Sequence, residues 1–124
     1  MLSFPHTVRI FLHTDAVDLR KSFDGLSGPV SQVFPEEDLL SGHLFLFFNG
    51  RRDRIKVLHW DADGLVIWYK RLEVGSFQNP VPTPGITQLS GSAGIELSVT
   101  DLSLILGGID LTTARRRKRY SRVG

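Results

Sequence analysis

From Ser41 to Leu72 the chain reads SGHLFLFFNGRRDRIKVLHWDADGLVIWYKRL, three apolar runs interrupted by two turn signals. Asn49-Gly50 and Asp61-Ala62-Asp63-Gly64 reverse a chain cheaply, because Gly accepts positive φ and Asn or Asp tolerates it. Three consecutive antiparallel strands are the expectation. In the second hairpin a two-residue turn, centred on Asp63-Gly64 or Ala62-Asp63, sets even positions of one strand against odd positions of the next. One face then carries Arg54, Lys56, Leu58, Trp60, Leu65, Ile67, Tyr69 and Arg71. The other carries Ile55, Val57, His59, Val66, Trp68 and Lys70.

Upstream, Val8 to His13 alternates modestly and reads as a strand, ending at Thr14-Asp15, where a polar side chain can cap a helix. That helix is expected over Asp18 to Phe34. Leu19, Phe23, Leu26, Val30, Val33 and Phe34 recur at spacings of three and four, which gives it one apolar face. Pro29 predicts a kink there, or two short helices. Pro35-Glu36-Glu37-Asp38 closes the segment. Downstream, Pro80 to Gly94 reads as a loop, rich in Pro, Gly, Ser and Thr. Ile95 to Val99 reads as a short strand. Thr100 or Asp101 is then the expected cap of a final helix through Leu106, stopped by Gly107-Gly108.

The expected architecture is α+β: an antiparallel sheet of about four strands, one long helix across a face, a short C-terminal helix and a disordered basic tail. With 124 residues, one domain over 1–111 suffices, burying roughly two-thirds of its unfolded surface, with 112–124 as the tail. The absence of cysteine removes disulfides, thiol catalysis and sulfur-ligated metals, and fits a cytoplasmic location. The longest apolar run, Leu44 to Phe48, is far short of a membrane span, and nothing resembles a signal peptide.

Charge is distributed unevenly. The formal net charge is +2, but residues 115–124, RRRKRYSRVG, hold six cations and no acid, leaving residues 1–114 at −4. A block such as Arg115, Arg116, Arg117, Lys118 and Arg119 repels itself and is available to a polyanion. Within the central strands, Arg51, Arg52, Arg54, Lys56, Lys70 and Arg71 gather toward the end away from the hairpin turn, with Tyr69 among them. Guanidinium groups fork onto phosphate oxygens and aromatic faces stack on bases, so DNA is the expected partner of both sets. The ordinary reading of strand aromatics is core.

Catalysis finds little support. Metal-assisted strand transfer needs converging carboxylates, but Asp61 and Asp63 are explained by their turn and Asp53 lies beside three arginines. His6, His13, His43 and His59 lack metal-ligand spacing. No Walker loop, GxSxG elbow or HExxH occurs. No enzyme activity, metal or cofactor is expected.

Several separated blocks nevertheless stand out together. They are Asp18-Leu19-Arg20-Lys21-Ser22-Phe23-Asp24-Gly25-Leu26, Ser41-Gly42-His43-Leu44-Phe45, Arg52-Asp53-Arg54-Ile55-Lys56-Val57-Leu58, Trp60-Asp61, Asp63-Gly64-Leu65 and Trp68-Tyr69-Lys70-Arg71-Leu72-Glu73. With Leu102 to Leu111 near the C-terminus, they resemble the small TnpB-type, Orf2-like accessory proteins of IS66 insertion sequences. The chain departs from that pattern after Phe77, where Gln78-Asn79-Pro80 replaces a usual Trp-Pro pair. The resemblance implies a part in DNA transposition alongside a separate transposase. Two readings follow. In one, the basic strand edge and tail hold DNA non-specifically. In the other, the body is an interaction module for the transposase or another element-encoded protein, and Asp18, Arg20, Lys21, Asp24, Trp60, Trp68 and Tyr69 are the candidate surface. No sequence feature sets the oligomeric state.

Overall fold

The computed structural model describes residues 8–77 and 93–107. Five strands form one sheet: β1 (Ile10–His13), β2 (Leu44–Phe48), β3 (Arg54–Asp61), β4 (Gly64–Arg71) and β5 (Gly94–Leu97), in the order β4-β3-β2-β1-β5. Helix α1 spans Phe23–Val33 and helix α2 spans Val99–Gly107. A single 3₁₀ turn, Leu39–Ser41, precedes β2.

The expected antiparallel sheet of about four strands is corrected by this topology. β1 and β2 pair in parallel, Ile10 against Leu44 through His13 against Phe47, and β5 adds a fifth strand antiparallel to β1. The segment between β1 and β2 contains α1 and is long enough for the crossover a parallel pair requires. The sheet is therefore mixed and carries apolar residues on both sides. One face packs Phe11, Phe45, Phe47 and Leu58 against Leu26, Val30 and Phe34 of the α1 segment. The other packs Leu12, Leu46, Phe48 and Val57 against Phe77 and against Leu102 and Ile105 of α2. All five residues of β2 are buried, as in a strand covered on both sides.

The long helix is corrected too, since α1 has 11 residues and begins at Phe23. Its expected first turn is captured by Asp18. The Asp18 carboxylate accepts the Arg20 backbone N–H at 3.0 Å, and its carbonyl accepts the Lys21 N–H at 3.1 Å. This local turn competes with helix. α1 then runs through Pro29 without ending there. At the second helix the cap is Ser98 rather than Thr100 or Asp101. Ser98 Oγ accepts the Asp101 N–H at 3.0 Å and Asp101 Oδ2 faces the Ser98 N–H at 3.3 Å, the reciprocal arrangement of a capping box.

The hairpin parity is as expected: Arg54 opposes Arg71, Lys56 opposes Tyr69, Leu58 opposes Ile67 and Trp60 opposes Leu65. The turn is centred on Ala62-Asp63, with Ala62 at φ 51. The preceding reversal is a longer loop, in which Arg52 takes φ 56.

Two details close β5 under the helix. A Cβ on Gly94 would lie 2.7 Å from Val33 Cγ1 and 2.8 Å from Phe34 Cζ, so only glycine lets α1 approach. Arg9 clasps Glu96 of β5 at 2.6 Å and Glu37 beyond α1 at 3.1 Å, while its guanidinium carbon lies 4.8 Å from the Phe11 ring centre. Glu96 is held below the ordinary carboxylate range by the Arg9 hydrogen bond, against the opposing effect of partial burial. The expected domain limits and the tail at 112–124 lie wholly or partly outside the described residues.

Candidate nucleic-acid interface

Sheet parity divides the six central cations between two faces. Arg54, Lys56 and Arg71 stand on the α1 side with Tyr69. Lys70 stands on the α2 side, where its Nζ lies 3.5 Å from the Leu106 carbonyl near the end of α2, a favourable end for a cation. Arg52 turns onto that side as well. Its guanidinium carbon is 4.4 Å from the Phe48 ring centre, and burial lowers its pKa. Its carbonyl accepts the Phe77 N–H at 2.6 Å, so Arg52 fastens the chain after β4 to the loop before β3.

Lys56 is used inside the fold. Only 8% exposed, it donates to the Lys21 carbonyl at 2.8 Å and lies 5.0 Å from the Tyr69 ring centre. A buried ammonium with one strong acceptor and an aromatic face is desolvated and committed. The same bond brings the Asp18 to Asp24 block beside β3 and β4, a juxtaposition that sequence spacing of 35 residues conceals.

Within that block Asp18 and Arg20 form an exposed pair at 2.8 Å, and the Arg20 hydrogen bonds hold the Asp18 carboxyl down at about 2. Asp24 lies exposed in the first turn of α1, where the helix dipole favours an anion. The Lys21 stem lies across Gly25, 2.9 Å from where a Cβ would sit. Trp60 is half-buried on the α1 side, and Trp68 is half-buried against the α2-side core. Tyr69 is 48% exposed.

What remains open is a cluster at the end of the hairpin. A cleft of about 350 Å3 is lined by Asn49, Gly50, Arg51, Asp53 and Arg54. Asn49 shapes it: its Nδ2 donates to Asp53 Oδ1 at 2.6 Å and its Oδ1 accepts the Arg54 N–H at 3.0 Å. Asp53 is thereby engaged by an amide. Arg51 is exposed, and the buried Nε of Arg54 has no hydrogen-bond partner among the described residues. Arg54 also stands directly opposite Arg71, and like charges at that position oppose pairing. Arg71 is bridged to Glu73 at 3.1 Å, with both side chains more than half exposed, a contact worth little and readily exchanged. Asn49 and Gly50 were legible only as a turn; their part in the cleft was not.

Among the described residues no group of three or more His, Cys, Asp or Glu side chains is placed to hold a metal, and no described helix is long and apolar enough to cross a membrane. The cations Arg115, Arg116, Arg117, Lys118 and Arg119 lie outside the described residues.

Comparison with known proteins accounts for most of the chain. Residues 8–116 match the family described as IS66 Orf2-like protein. The uncharacterised protein y4jC of Sinorhizobium fredii is 30% identical over 118 residues, covering 94% of this chain and 93% of its own. The uncharacterised protein y4hO of the same organism is 31% identical over 124 residues, the full length of both. No solved structure matches. With the family match spanning β1 to beyond α2, the chain belongs to the IS66 Orf2-like family of transposition-associated accessory proteins.

Proposed function

We propose that the protein serves transposition by holding DNA through backbone phosphates at the α1-side end of the hairpin, with the basic C-terminal segment adding affinity. The observation that carries this reading is the opposition of Arg54 and Arg71 beside a cleft that also contains Arg51. Such an arrangement costs stability in the free protein and is relieved by an anion between the cations. Lys21, exposed and brought alongside by Lys56, extends the same surface.

Phosphate contacts carry no sequence code, so binding is weakly specific and strongly dependent on salt. Three phosphates neutralised by Arg51, Arg54 and Arg71 give a log–log slope of about −2.7. Affinity for duplex DNA then falls about 40-fold between roughly 50 and 200 mM salt. Binding that ignores salt contradicts the proposal. Removing residues 112–124 weakens binding but leaves this smaller salt-dependent component.

A second reading is favoured by charge. The described residues carry nine Lys and Arg against twelve Asp and Glu, and several of those cations are spent internally. In that reading the body binds the transposase or another element-encoded protein. Its signature is a tail-deleted protein that binds no DNA yet still retains the transposase in a nuclease-treated pulldown.

A further inference from the structure

We infer that Tyr69 is a stacking platform for an unpaired base, so that the nucleic acid taken up at this face is single-stranded DNA. This inference rests on the proposed DNA contact and names its substrate more narrowly. Tyr69 sits on β4, at one edge of the described sheet, and is 48% exposed. Its strand position on the α1 side falls between Ile67, which packs toward the core, and Arg71, which is exposed. A core aromatic would be covered; this one is half open.

The ring is also held in place. Lys56, directly across the strand pair, sets its Nζ 5.0 Å from the ring centre, and the Lys21 carbonyl fixes that Nζ at 2.8 Å. A ring backed by a cation, itself anchored by a hydrogen bond, loses little further freedom when a base stacks on it. Beside it the cross-strand pair Arg54 and Arg71 supplies the positive charge that a nucleotide's own phosphate requires. Aromatic face and paired guanidinium groups one strand-repeat apart match the base and phosphate of a nucleotide in an open strand. In a duplex the base faces are stacked on one another and closed to Tyr69.

The test uses the full-length protein and three probes of equal length, about 12 nucleotides: oligothymidylate, an abasic strand with the same phosphates, and a duplex. The expected result is oligothymidylate binding about tenfold tighter than the abasic strand. Tyr69→Phe keeps that difference and Tyr69→Ala removes it, with abasic and duplex binding unchanged. Equal binding of oligothymidylate and abasic strand by the unaltered protein overturns the inference, as does a difference that survives in Tyr69→Ala. Salt-dependent duplex binding without any advantage for exposed bases sinks the stacking platform alone. Failure of all three probes to bind sinks the proposed DNA contact with it.

Discussion

Replacing Arg54 by Gln is expected to make the protein more stable and a poorer DNA binder. Arg54 and Arg71 are directly opposed across β3 and β4, which places their Cβ atoms about 5 Å apart. Like charges directly opposed in a sheet destabilise it, by an amount on the order of the ~0.2–1 kcal/mol typical of cross-strand side-chain pairs. Glu73, 3.1 Å from Arg71, offsets part of this, so relief amounts to roughly 0.2–0.7 kcal/mol. That corresponds to a rise in Tm of about 1–3 °C for a domain of this size. Gln keeps much of the side-chain stem, and the Asn49 hydrogen bond to the residue 54 backbone N–H does not depend on the side chain. Against DNA, losing one phosphate contact reduces the salt slope by about 0.9 and the affinity by about fivefold to tenfold near 0.1 M salt. Thermal unfolding by circular dichroism and fluorescence anisotropy with labelled DNA measure the two effects on one preparation. A lower Tm together with unchanged affinity and slope would show Arg54 to be a structural cation with no part in holding DNA.

Three further expectations concern the frame around this surface. Gly94→Ala should destabilise by about 1–3 kcal/mol through overpacking against Val33 and Phe34, although strand interiors ordinarily gain from losing glycine; urea unfolding measures it, and Val33→Ala in the same chain should recover part of the loss. Lys56→Met orphans the Lys21 carbonyl while relieving a buried charge, for a net cost of roughly 0.5–2 kcal/mol; calorimetry showing an unchanged Tm would contradict the internal role given to Lys56. The depressed Glu96 carboxyl contributes stability that is present above its ordinary value of 4.5 and lost as pH falls through its lower folded value; Arg9→Met should therefore flatten the decline of Tm between about pH 5 and 3.

The register of the second hairpin was legible because a period of two and a two-residue turn leave few alternatives, and Arg54 against Arg71 followed directly. The parallel pairing of β1 and β2 was not. Pairing across a crossover depends on which strands meet in space, and β1 is only four residues long. One sign was present: the unbroken apolar run Leu44 to Phe48 suits a strand covered on both faces better than one open to water. Apolar spacing places the start of α1 too early because it does not register an Asp18 carboxylate competing for the Arg20 backbone N–H. For the site, sequence located the cations along the strands but not their surroundings. Strand parity separates Lys70 from Arg54, whereas the internal use of Lys56 depends on a carbonyl 35 residues away. The left-handed backbone of Arg52, φ 56, which accompanies its guanidinium over Phe48, had no sequence signal beyond its place in a loop.

The proposed role of Arg51, Arg54 and Arg71 is to hold DNA phosphates. Its most direct test compares the salt dependence of DNA binding by the unaltered protein and by a variant with all three changed to Gln. The log–log slope is expected to become shallower by about 2.7, with affinity at low salt falling accordingly. The same slope and affinity in a folded variant would contradict it.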